Sequence, residues 1–249
     1  MALTVFLQYC LAGISIGGIY ALIAIGYTMV YGILRLINFA HGDIFMMAAY
    51  FMIFAMVDFA IPWYISMIIM IIATVVLGVI IEKVAYAPLR NAPRMSVMIS
   101  AIGVSYLLQN VATYLFSALP KSYPSIPVLN KTIHLGDVST SLVTFITPII
   151  TIGFVLLLMA MIKYTKVGMA MRAVSKDFET AQLMGIKINS VISLTFVIGC
   201  FLAAVGSMLY FTPRPSVYPL VGSLPGLKCF IAAVFGGIGS IPGALVGGF

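Results

Sequence analysis

Seven stretches of the chain run without a charged residue: 1–34, 44–57, 59–81, 95–120, 138–162, 188–213 and 229–249. They lack the two-residue alternation of a half-buried strand. In lipid a segment must satisfy its own backbone polar groups, which favours helices, and a helix needs about 20 residues to cross an apolar layer about 30 Å thick. Six of the seven stretches reach that length. The 44–57 stretch reaches it only if its helix starts near Leu36, which draws Asn38, His41 and Asp43 into or near the membrane. The pattern predicts an all-α polytopic transmembrane helix bundle forming a single domain over 1–249.

The connections set its orientation. Alternate loops carry Arg35, then Lys83, Arg90 and Arg94, then Lys163, Lys166, Arg172, Lys176 and Lys187, nine basic residues in all. The opposite loops carry four: Lys121, Lys131, Arg214 and Lys228. The positive-inside rule assigns the first set to the cytoplasm and leaves the N-terminus outside. The outer 121–137 loop contains Pro124, Pro127, Asn130 and Gly136 and is expected to be irregular and exposed. The outer 212–226 connection, with four prolines, cannot be one helix. Only Arg214 breaks its apolar character, so a dip back toward the membrane is open to it.

Composition narrows the class. Hydrophobic residues make up 63% of the chain and charged residues 8%, against about 45–50% and about 25% in soluble domains. This excludes a soluble enzyme, a disordered chain and a disulfide scaffold. The net charge of +7 is spread over separate loops, which fits membrane orientation rather than nucleic-acid binding. Cys10, Cys200 and Cys229 lie in apolar runs without metal-ligand spacing, and His41 and His134 are too few for a metal site. The N-terminus has no basic n-region, so its apolar run is kept as a membrane helix. The chain ends at Phe249 inside an apolar run, from which we expect C-terminal truncation.

Three stretches could carry function. No P-loop, nucleophile elbow or zinc-protease motif occurs, and Gly236-Gly-Ile-Gly-Ser-Ile-Pro-Gly243 has Pro242 where a dinucleotide fingerprint needs glycine. No catalytic residue, cofactor or metal is therefore assigned. Gly239, Gly243 and Gly247 recur every four residues, as Gly13 and Gly17 do, which suits close helix packing within the bundle or a dimer contact. Asn38, His41 and Asp43 cluster before a short apolar run. They read either as a polar element lining a pathway or inner gate, or as a cytoplasmic turn with Asp43 favouring a helix N-terminus. The 163–190 connection exceeds what a hairpin needs. Val174, Phe178, Ala181 and Gly185 share one helical face, Asp177 suits an N-cap, Glu179 the first turn and Gly185 the stop. A short helix near 178–184 would either dock another protein or rest on lipid headgroups.

Glu179-Thr-Ala-Gln-Leu-Met-Gly185 resembles the E-A-A-x-x-x-G loop of bacterial ABC importer permeases, with Thr180 in place of the middle residue of the triplet. Together with 20–32, 37–43, 194–199 and 232–243, it makes nearly the whole chain similar to the first permease subunit of high-affinity branched-chain amino-acid importers. The resemblance implies a transmembrane permease domain working with a second homologous permease subunit, two cytoplasmic ATP-binding subunits and an extracytoplasmic substrate-binding protein, in the bacterial cytoplasmic membrane. It implies that the helix around Glu179, Ala181 and Gly185 is a coupling helix seated in an ATPase groove. By position, Arg172 and Lys176 would pair with acidic groups there, and Ala181 and Gly185 would be the points of close approach. The rivals are an ion-coupled secondary transporter, for which Gln109 and Asn110 are the remaining midmembrane polar candidates, and a membrane assembly protein without transport.

Overall fold

The computed structural model describes residues 2–35, 37–90, 92–135 and 138–249. Its long helices are α1 (Ala2–Leu34), α2 (His41–Ile53), α3 (Trp63–Ile81), α4 (Arg94–Phe116), α5 (Leu142–Tyr164) and α8 (Ile188–Phe211). A π-helical turn, Phe54–Asp58, prolongs α2, and another, Glu82–Tyr86, prolongs α3. Among the described residues, six helices are long and apolar enough to cross a membrane. Helices α2 and α8 are mostly buried, whereas α3, α4 and α5 leave most of their surface outside. A central trio of α1, α2 and α8 is thus wrapped by helices whose exposed Ile, Leu and Val side chains suit lipid.

The path into α2 sets the architecture. Arg35 takes a left-handed φ of 53°, which a non-glycine residue rarely adopts, and the chain turns back instead of extending α1. It re-enters so far that the His41 ring lies against Gly26 of α1 and Gly199 of α8. Gly26 precedes the end of α1 by eight residues, about 12 Å, and Gly199 follows the start of α8 by eleven, about 16 Å. Helix α2 therefore starts near midmembrane, not at the basic surface.

A second half-helix meets it. The 212–222 segment returns from the far end of α8, and α9 (Ser223–Phe235) begins where Gly222 and Gly226 abut Gly42. A methyl group on Gly42 would lie 2.6 Å from the Gly222 carbonyl oxygen, so only glycine permits this crossing. The run 229–249, expected to cross as one helix, is instead a hairpin of α9 and α10 (Ile241–Gly248). Gly237 and Gly239 take φ of 90° and 96° in the turn, and Pro242 occupies the first turn of α10, where its missing N–H costs nothing. Gly243 and Gly247 press α10 onto Gly236 and Ala232. Gly239 lies in the turn beside Gly32, so the three glycines do not share one helix face.

The loops 117–141 and 212–222, at the end opposite the basic loops, are more ordered than expected. Strand β1 (Lys121–Ser122) pairs with β4 (Ser216–Val217), and β2 (Thr132–Leu135) forms a hairpin with β3 (Val138–Ser141), joining Thr132 to Ser141 and Ile133 to Thr140. Two to four residues are too few to register as alternation in sequence. The tip, Gly136 and Asp137, and the side chain of His134 lie outside the described residues.

Gly42→Ala should lower the melting temperature of the purified protein, since forced overpacking costs about 1–3 kcal/mol. Gly153→Ala in α5, where nothing lies within 4 Å, should be neutral or slightly stabilising. Thermal unfolding in micelles checks both; equal melting temperatures for the two variants would contradict the crossing.

Candidate translocation site

The three polar residues of the re-entrant segment are all buried, and they point to three different places. Asn38 Oδ1 accepts a 2.7 Å hydrogen bond from the Tyr86 hydroxyl, which the π-turn at the end of α3 carries inward. His41 packs edge-on against Tyr27, with ring centroids 4.6 Å apart, and its Nε2 lies against Gly26 without a hydrogen-bond partner among the described residues. Asp43 faces α4, where the Ser105 hydroxyl donates to Oδ2 and Gln109 Nε2 donates to Oδ1 at 3.1 Å. The structure does not gather Asn38, His41 and Asp43 into one constellation.

Asp43 alone of the three borders a cavity. It measures about 500 Å³ and is walled by Tyr27, Phe39, Tyr106 and Phe230, with Ser105 and Gln109 on one side and Gly222, Ser223 and Gly226 on the other. A carboxylate at the centre of a membrane helix costs about 2.5–3.5 kcal/mol on insertion scales. The Ser105 and Gln109 donors offset part of that. Ser105 and Gln109 stand four residues apart on α4, so their shared face was visible as a polar pair in an apolar run. Asn110, the neighbouring polar candidate, points elsewhere, its side chain donating to the Tyr106 carbonyl at 2.7 Å.

Two larger spaces lie toward the basic end. One of about 1,060 Å³ separates α1 from α5 and the start of α10 and holds no carboxylate. Another, of about 1,100 Å³, lies between the bundle and the 163–190 segment. Among the described residues, no three His, Cys, Asp or Glu side chains come together as a metal site.

The 163–190 segment holds two helices, α6 (Lys166–Lys176) and α7 (Phe178–Leu183). Thr165 caps α6 by accepting from the Gly168 amide at 3.1 Å, and Asp177 caps α7 by accepting from the Glu179 amide at 3.1 Å and from the Thr180 hydroxyl. Gly185, at φ 80°, ends the turn. Val174 and Ala181 face inward and are buried, so the small apolar face read from the sequence packs on the chain itself. Glu179, Thr180, Gln182, Leu183 and Met184 form the outer surface, with Leu183 88% and Met184 78% exposed. Gly185 is exposed, with open space where a side chain would begin, Lys176 is exposed, and Arg172 donates to the Lys163 carbonyl at 3.4 Å.

Two links tie this segment to the bundle. Arg35, at the mouth of the re-entrant stretch, donates to the Ser175 and Lys176 carbonyls at 3.4 and 3.5 Å. Arg90 pairs with buried Glu82 and also contacts Asn189, while Ser193 of α8 donates to Glu82 at 2.9 Å. Neither link was read from the sequence, because each joins residues about a hundred or more positions apart.

Residues 9–249 match the family described as the permease component of branched-chain amino acid transport systems. The chain belongs to that family. It is 41% identical to the high-affinity branched-chain amino acid transport system permease protein LivH of Escherichia coli K12, over 98% of this chain and 82% of the relative. It is 39% identical to the permease BraD of Pseudomonas aeruginosa, over 98% and 83%, and 28% identical to a probable LivH of Methanocaldococcus jannaschii, over 92% and 73%. No solved structure matches the chain. As a member of the permease family it is a multi-pass transport protein, not an enzyme. Arg35, Glu82 and Asp43 are thus charges within a permease, two at its basic end and one at midmembrane.

The Thr180 hydroxyl, and after it the Glu179 amide, hold the Asp177 carboxyl below its ordinary range. Its contribution to α7 is therefore present above the ordinary carboxylate value and is lost as the pH falls through the depressed one. Asp177→Ala should speed amide exchange at Glu179 and Thr180 at neutral pH while leaving α8 unchanged, as read by hydrogen-exchange mass spectrometry. Unchanged exchange in α7 would contradict the cap.

Proposed function

We propose that the chain is a membrane-spanning subunit of an ATP-driven importer that carries branched-chain or related hydrophobic amino acids into the cell. The observation that carries this reading is the pairing of a buried polar half-helix start with a protruding capped helix, joined by Arg35. The importer would comprise this chain, a second homologous permease, two ATP-binding subunits on the cytoplasmic side and an extracytoplasmic binding protein. The N-terminus faces outward in this arrangement, since the nine-residue basic side is then cytoplasmic.

In this reading α7 is the coupling helix. Leu183 and Met184 enter the ATPase groove, Glu179, Arg172 and Lys176 supply polar contacts beside it, and the glycine turn at Gly185 sets the exit direction. Ala181 acts from the inner side, by seating α7 on the bundle. Force applied to α7 passes through the last turn of α6 to Arg35, and from there into the stretch that carries Asn38, His41 and Asp43. Glu82 and Arg90 hold α3 and α8 together, so the push moves the re-entrant stretch relative to a fixed frame. An ion-coupled mechanism finds less support, because among the described residues the buried acid at midmembrane has no second ionised partner.

The experiment is uptake of leucine into vesicles containing the complete importer. We expect uptake to need ATP and the binding protein. Leu183→Asp with Met184→Asp should cut uptake about tenfold or more and release the ATPase on purification, while the permease stays in the membrane. Wild-type uptake by that variant, or leucine flux through this chain alone, would overturn the reading.

A further inference from the structure

We propose that the cavity before Asp43 is a binding site for the free amino acid inside the membrane, in which the Asp43 carboxylate holds the α-ammonium group. The proposal rests on the amino-acid permease reading above and names where, and by which group, the cargo is held in transit.

Five observations converge on it. Among the described residues the only ion pair is Arg90–Glu82, so Asp43 is a buried acid without a cation of the protein's own. Its two hydrogen bonds come from neutral donors, one to each oxygen. An ionised carboxylate has about four acceptor positions, which leaves capacity on both oxygens. The space it borders, about 500 Å³, falls within the roughly 300–1,000 Å³ of small-molecule sites. Much of its remaining wall is aromatic, from Tyr27, Phe39, Tyr106 and Phe230, with Ile102, Leu220 and Leu227 beside them, which suits an apolar side chain. The first turn of α9 enters the same space at Gly222 and Ser223. The Ser223 amide already donates to the Leu220 carbonyl and Pro225 has no N–H, so the Ser223 side chain and the helix dipole, rather than these amides, would face the cargo's carboxylate.

The arrangement selects against other occupants. A bare divalent cation prefers about six or more oxygen ligands, and the cavity offers a single carboxylate. A hydrocarbon tail would leave the acid unpaired in apolar surroundings. An amino acid satisfies acid, helix end and apolar wall at once. The mouth opens beside Ile102, Tyr106, Leu220 and Leu227, all of which are exposed.

The test uses the complete importer in vesicles. Cys10→Ser removes the exposed thiol, and Leu227→Cys places a reporter at the mouth. We expect leucine to slow modification of that cysteine by a thiol reagent about tenfold, and its 2-oxo-acid analogue, which lacks the ammonium group, to leave it unchanged. Asp43→Asn should abolish the leucine protection and lower uptake about tenfold while the binding protein still stimulates ATP hydrolysis. Asp43→Glu, which keeps the charge, should retain part of both. If Asp43→Asn fails to assemble, the comparison of leucine with the oxo acid on the native aspartate still decides. Equal protection by the oxo acid, protection that survives in Asp43→Asn, or full leucine uptake without any protection would overturn the site. Absence of leucine uptake by the unsubstituted importer would instead overturn the transport reading on which it rests.

Discussion

Helix α2 starts inside the membrane, and the rest of the structure depends on that. A half-helix start at midmembrane exposes amide groups where water is scarce, and the fold must supply partners for them. It does so with local turns, in which the amides of His41, Asp43 and Ile44 bond the carbonyls of Asn38 and Ala40. It also packs backbone on backbone, with Gly42 against Gly222 and Gly226, and His41 against Gly26 and Gly199. Any side chain beyond hydrogen at Gly42 would part α2 from α9.

From this constraint the functional geometry follows. Two helices whose starts meet leave a gap between their first turns, and Asp43, Ser105 and Gln109 border it. The re-entrant stretch hangs from Arg35, whose guanidinium grips the last carbonyls of α6. The protruding α7 is therefore two residues of chain away from the group that holds the entrance to α2. In the proposed coupling, a push at the basic surface and a response at midmembrane would share one short lever.

Much of this was legible in the sequence. Charge-free length gave the long helices and drew Asn38, His41 and Asp43 into or near the membrane without deciding between a pathway element and a surface turn; the helix itself begins at His41, not near Leu36. Asp177 as cap, Glu179 in the first turn and Gly185 as stop were readable because capping chemistry is local. What was not legible is where distant elements meet. Helical periodicity gave Ala181 an apolar face but not its direction, and the face turns inward because α7 packs on its own bundle. Hydropathy joined 229–249 into one span, whereas left-handed glycines at 237 and 239 fold it into a hairpin. The environment of Asp43 depended on α4 and α9, brought in from sixty and nearly two hundred residues away, which no local pattern encodes.

The depth of the α2 start is the most direct measure of this account. A spin label on Phe39→Cys, read by its relative exposure to oxygen and to a water-soluble nickel complex in bilayers, should lie clearly deeper than one on Leu34→Cys, toward the level of Gly26, which is about 12 Å in. Equal depths for the two labels, at the headgroup level, would mean that the stretch before α2 is a surface turn, and the account would fail.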